Sequence, residues 1–142
     1  MKIIVVIGRI LFSLIFILSL MSHFKTSTIA YAEARQVPAA SVLVPLSAVL
    51  AAVGGLSILL GYKAKAGAWL LVVFLIPVTL YMHAFWKETD PMQMGIQTGN
   101  FMKNAALLGA ALLISYFGSG PASLDSLSTA STAEEKKHSI KP

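Results

Sequence analysis

Four long stretches almost free of charge alternate with polar ones along this 142-residue chain. The first, residues 3–21, is nearly continuous Ile, Val, Leu and Phe, with one interruption at Arg9. The others cover residues 42–60, 66–86 and 101–117. Each holds about 17 to 21 residues, and at a rise of about 1.5 Å per residue such a helix spans about 26 to 32 Å, enough to cross a hydrocarbon core. The pattern predicts an all-α fold: an integral membrane four-helix bundle over residues 1–120, followed by a polar, largely disordered tail over 121–142.

The connections differ in kind. Residues 22–41 form a longer surface loop whose middle, STIAYAEARQ, suits a short helix capped by Ser27 or Thr28 and ended before Pro38. GYKAK, residues 61–65, is a tight basic turn. Residues 87–100 read as a polar loop, because Asp90-Pro91 and Gly95 are turn signals.

Composition sharpens the choice of solvent. Only 12% of the residues are charged and 56% are hydrophobic, whereas a soluble domain carries about 25% charged residues. Lipid is therefore the expected surrounding, and membrane lipids the first partners. The net charge of +5 would suggest nucleic acid in a soluble protein. Here the lysines sit at the edges of apolar runs, where they meet headgroups or set orientation, so no nucleic-acid partner is expected. With no cysteine there is no thiol nucleophile and no thiolate ligand for a cluster, so redox chemistry must come from a cofactor or a partner.

Counting cations near the span ends gives the orientation. Lys2, Arg9, Lys63, Lys65, Lys136 and Lys137 fall on one side, and Lys25, Arg35, Lys87 and Lys103 on the other. The richer side, with both termini, is expected in the cytoplasm of a bacterial inner membrane. A rival reading makes the first 32 residues a cleaved signal peptide ending at Ala30-Tyr31-Ala32. Against it, the apolar run is long for a signal core and ends about ten residues before that site.

Small residues predict the packing. Ser47, Ala48, Ala51, Ala52 and Gly55 form a small-xxx-small stripe on the second segment, and Ala105, Ala106, Gly109 and Ala110 another on the fourth, so both helices are expected against close neighbours. Pro77 frees the carbonyl of Val73 two turns from His83, and the resulting bend either opens a pocket or improves packing. Gly95 and Gly99 lie in the expected loop, so their spacing is not scored as a dimer motif.

Ionisable groups inside a membrane are expensive, and each needs a reason. Arg9 is either a snorkelling anchor or the partner of Asp125, tying the tail to the bundle. The 87–100 hairpin brings His83, Trp86, Asn100, Lys103 and Asn104 together near the outer interface, and His23 is placed to join them. Such donors around an apolar cavity suit the carbonyl oxygens of a quinone, the one cofactor expected. The same residues also suit an interfacial belt that fixes helix depth. Haem is disfavoured because His23 and His83 lie near the surface, and no metal site is expected, since no His or carboxylate pair has helical i, i+4 spacing. No catalytic residue is identified.

The order of Arg9 within an ILFSLIFILS helix, VGGLSILLGYKAKAGAWLL, MHAFW, NFMKNAALLGAALL and GSGPASLD resembles the DoxX family of small four-helix membrane proteins over roughly residues 5–127. That resemblance implies an inner-membrane bundle, with some relatives serving as subunits of a thiosulfate:quinone oxidoreductase or of other membrane oxidoreductase complexes. By position it implies roles for Arg9, His83, Asn100, Lys103, Asn104 and Asp125. Many relatives carry a glutamate just before the paired glycines, where this chain has Ala51. The expected function is a small subunit or accessory of a quinone-linked oxidoreductase complex, with a protein partner. A non-enzymatic scaffold for envelope proteins is the alternative.

Overall fold

The computed structural model describes residues 2–128, which contain helices and no strand. Helix α1, Lys2–Ser19, runs into a 3₁₀ turn, Leu20–Phe24. The short α2, Thr26–Ala34, follows, then α3, Ala40–Leu60, and α4, Ala64–Met82. A second 3₁₀ turn, Phe85–Lys87, leads to α5, Pro91–Phe117. Three rods are long and apolar enough to cross a membrane: Lys2–Phe24, Ala40–Leu60 and Ala64–Lys87. The chain is thus an all-α membrane protein.

The fourth long helix departs most from expectation. Residues 91–100 are its first turns rather than a loop. Asp90 accepts a hydrogen bond from Gln93 N at 3.0 Å and Pro91 takes the first helical position, so the dipeptide read as a turn is a helix start. Gly95 and Gly99 therefore lie on a helix, exposed, with room for a methyl group at each. The polar first half of α5, with Gln93, Gln97, Asn100, Lys103 and Asn104, sets it apart from the three apolar rods.

The long helices pack in the order α1, α3, α4, α5. Their shared core holds Phe16, Ala51, Ile58, Leu71, Leu75 and Ala111. The small stripe of α3 works as expected: a Cβ on Gly55 would sit 3.2 Å from Phe16 Cβ of α1, and one on Gly54 only 2.8 Å from the Gly67 carbonyl of α4. On α5 the expectation fails. Ala105, Ala106 and Gly109 are exposed, and a Cβ on Gly109 would meet nothing within 4 Å. Gln97, Asn104 and Ala111, spaced two turns apart, are the residues buried instead.

Large apolar side chains cover the outside, among them Ile4 (67% exposed), Leu11 (66%) and Leu18 (69%). Monomeric soluble proteins avoid patches of this extent, whereas lipid solvates them.

Two polar connections are more ordered than expected. In the 22–41 segment, α2 is present, but it starts at Thr26 without a side-chain cap, and Ala32 is fully buried in a small second core with Ala40 and Val44. Beyond α5, residues 118–128 fold back on the bundle with Ser119 and Ser123 buried, so the expected disorder does not hold for the start of the tail. The remainder of that tail, with Lys136 and Lys137, lies outside the described residues.

Candidate functional site

His83 closes α4, its N–H reaching Thr79 O at 3.3 Å. Its Nδ1 lies 2.9 Å from Gln97 Oε1, and Gln97 Nε2 donates to Tyr31 Oη at 3.0 Å. Arg35 Nη2 donates to the same phenol oxygen at 2.7 Å and forms an ion pair with Glu88. One polar chain therefore ties α2 to the start of α5 and to the hairpin. As an acceptor, Gln97 Oε1 selects the His83 tautomer with hydrogen on Nδ1 and leaves Nε2 for another group.

The five residues expected to surround a headgroup are spread around this chain rather than gathered into one pocket. His83 is half-buried beside Gln97, and Asn104 is buried two turns deeper on the same face of α5. Trp86 stands 53% exposed, edge-on to Phe101 at 5.9 Å. Lys103, also exposed, donates to Asn100 Oδ1 at 3.2 Å. Sequence reasoning missed Tyr31, Arg35, Glu88 and Gln97. For Gln97 a signal existed, because it shares a seven-residue spacing with Asn104.

An apolar cavity of about 260 Å³ lies instead between the 3₁₀ turn after α1, the 25–39 segment, α3 and α4. Val73 and Pro77, the carbonyl and proline expected to break the ladder, both line it, as do His23, Thr28, Ser47 and Tyr81. None of the five headgroup candidates does. His23, expected to join His83, faces this cavity. Its Nδ1 bonds Ser19 O at 2.8 Å, and a carbonyl only accepts, so Nδ1 carries a hydrogen. Thr28 Oγ1 donates to Ser22 O at 2.7 Å and Ser47 Oγ to Val44 O at 2.7 Å, leaving lone pairs on both oxygens.

At the opposite end, Arg9 is 7% exposed. Its Nη2 donates to Ala122 O at 2.6 Å and its Nη1 to Ser119 O at 3.4 Å. Asp125 accepts from Lys63 N at 2.8 Å and Ala64 N at 3.2 Å, capping α4, and from Ser119 Oγ at 3.3 Å. Burial opposes the Asp125 charge, but those donors and the Arg9 guanidinium outweigh it and hold its pKa below the ordinary value. Arg9 and Asp125 thus clamp the same segment, each through backbone groups. Between them Gly61 adopts φ +63° after a Schellman turn, with Tyr62 N on Ser57 O at 3.0 Å. A side chain there would also strike Arg9 Nη1. Ala51 is fully buried in the shared core.

The DoxX family profile matches residues 4–84. Inner membrane protein YqjF of Escherichia coli (strain K12) is 30% identical over 125 residues, covering 87% of this chain and 90% of the relative. No solved structure matches. With more than half its length under the family profile and a relative aligned along most of both chains, the protein belongs to the DoxX family.

Proposed function

We propose that this DoxX-family membrane protein is a small inner-membrane subunit or accessory of a quinone-linked oxidoreductase complex, with four crossings and both termini in the cytoplasm. The observation that carries the reading is the cavity beside His23. Its volume of about 260 Å³ falls just under the roughly 300–1,000 Å³ of pockets that enclose drug-sized ligands. That suits a ring whose tail stays in lipid. The walls are mostly apolar, and His23, Thr28, Ser47 and Tyr81 are the lining residues with polar side chains. A bound quinone would supply exchange of two electrons and two protons. His23 Nε2 is the atom that accepts a hydrogen bond or proton from a hydroxyl in the cavity, while Ser19 O keeps the ring oriented.

The rim residues His83, Trp86, Asn100 and Lys103, with Asn104 buried behind them, fit the other half of the proposal. Exposed Trp86 and Lys103 offer an anchoring surface for the partner that holds the redox centre, a centre that a chain without cysteine does not ligate by thiolate. A scaffold role is the second reading, favoured by the unpartnered small residues Gly99, Ala106 and Gly109 on α5.

Purified protein titrated with ubiquinone or menaquinone tests the first reading. Val73→Trp, which fills the cavity, is expected to weaken binding at least ten-fold, and His23→Phe several-fold, while His83→Ala and Lys103→Ala reduce capture of a co-purifying partner. Unchanged quinone binding in Val73→Trp would reject the cavity. Partner capture that survives all four substitutions would favour the scaffold.

A further inference from the structure

A second recess lies at the opposite end of the bundle, between the start of α4 and the 118–128 segment. It is a shallow, open recess of about 560 Å³, lined by Lys63, Lys65, Ala66, Gly118, Ser119 and Asp125, among others. We propose that it binds the phosphate of an anionic phospholipid headgroup.

Charge comes first. Among the described residues neither lysine forms an ion pair, since the salt bridge found there joins Arg35 and Glu88. Among the described residues Asp125 is the carboxylate lining the recess, and its oxygens already accept from Lys63 N, Ala64 N and Ser119 Oγ. With Arg9 beside the segment, three cations surround one committed carboxylate, so the local field favours an anion. The first turn of α4 adds to this: Lys65 and Ala66 are its second and third residues, their N–H groups are left over by the Asp125 cap, and both line the recess.

Position then selects a lipid over a free ion. Lys65, which lines the recess, lays its stem against Gly118, where an added Cβ would sit 3.4 Å from Cε. Around the same end of the bundle stand exposed Tyr62, Trp69, Tyr116 and Phe117, aromatic residues of the kind that settle at headgroup level. A phosphate in the recess is thus at the depth where phospholipid phosphates lie, with apolar helix surface below for the acyl chains. The lysines repel the choline of a zwitterionic lipid and accept an uncompensated phosphodiester.

The full chain, delipidated in a mild detergent, provides the test. Retained phosphatidylglycerol and phosphatidylcholine are counted by native mass spectrometry, alongside the thermal midpoint. Wild type is expected to keep phosphatidylglycerol at least ten-fold better than phosphatidylcholine. Lys63→Gln/Lys65→Gln should lower that retention about 25-fold, about five-fold per lysine, and Lys63→Arg/Lys65→Arg should restore it. Lys25→Gln/Lys103→Gln, at the other rim, should leave it unchanged. Equal retention of the two lipids by wild type, or an equal loss in the Lys25/Lys103 variant, would overturn the proposal. So would millimolar inorganic phosphate that raises the midpoint as much as phosphatidylglycerol does, because the ligand would then be a free anion.

Discussion

Gly67→Ala is the substitution whose outcome follows most directly from the packing. A Cβ on Gly67 would lie 2.5 Å from Ser57 Cβ and 3.0 Å from Gly54 O, against roughly 3.5–4.0 Å for relaxed carbon contacts. The overlap of about 1 Å falls on Ser57 Cβ, which moves with the α3 backbone, and Gly54 O is also too close by a few tenths of an ångström, so the two helices must part. Overpacking of this kind costs about 1–3 kcal/mol. Alanine returns about 1 kcal/mol through helix propensity, so the net loss is about 0–2 kcal/mol. Gly109→Ala is the control, because its new methyl group meets nothing within 4 Å and only the propensity gain remains. Because the propensity gain is common to both, the two variants should differ by the overpacking cost, about 1–3 kcal/mol. Reversible unfolding in mixed micelles, followed by helical circular dichroism against rising dodecyl sulfate, measures the difference. Ser57→Gly in the Gly67→Ala background removes the struck side chain and should recover part of the loss. Equal stability of Gly67→Ala and Gly109→Ala would refute the close approach of α3 and α4.

Other substitutions probe the two ends of the bundle. Because the folded pKa of Asp125 is depressed, its contribution is fully present above the ordinary carboxylate range and is lost as pH falls through the folded value. The thermal midpoint of wild type should thus exceed that of Asp125→Asn at neutral pH and converge with it below about pH 4; a gap that persists in acid would contradict the cap. Arg9→Met removes the donors to Ser119 O and Ala122 O, costs about 1–3 kcal/mol, and should speed protease cleavage within residues 118–128. Gln97→Leu breaks the bonds to His83 and Tyr31 and should lower stability by about 1–3 kcal/mol. The same change should loosen α2, read as faster amide exchange over Thr26–Ala34.

Much of the fold was legible because apolar runs of span length leave few alternatives, and the small stripe on α3 reads directly as a close crossing. What escaped was decided by context. Asp90-Pro91 is both a turn signal and a cap followed by a first-position proline, and only the packing of Gln97 against His83 chooses between them. The small residues of α5 look like those of α3, yet which face turns inward depends on polar partners that no periodicity specifies. Neutral Gln97 and Tyr31 drew no attention beside the ionisable residues, though they link His83 to Arg35. Pro77 did mark the cavity, and its lining by His23 rather than His83 follows from the 3₁₀ turn after α1.

Four crossings are the claim on which orientation, cavity access and partner docking all depend, and α5 is the helix that decides it. The chain has no cysteine, so single cysteines placed at Tyr62, Thr89 and Leu127, all exposed, report sidedness without background. With a membrane-impermeant maleimide added to intact and then permeabilised cells, the account predicts that Tyr62→Cys and Leu127→Cys are shielded until permeabilisation and that Thr89→Cys is labelled from outside. Labelling of Leu127→Cys on the same side as Thr89→Cys would show that α5 does not cross, and the four-span account would fall.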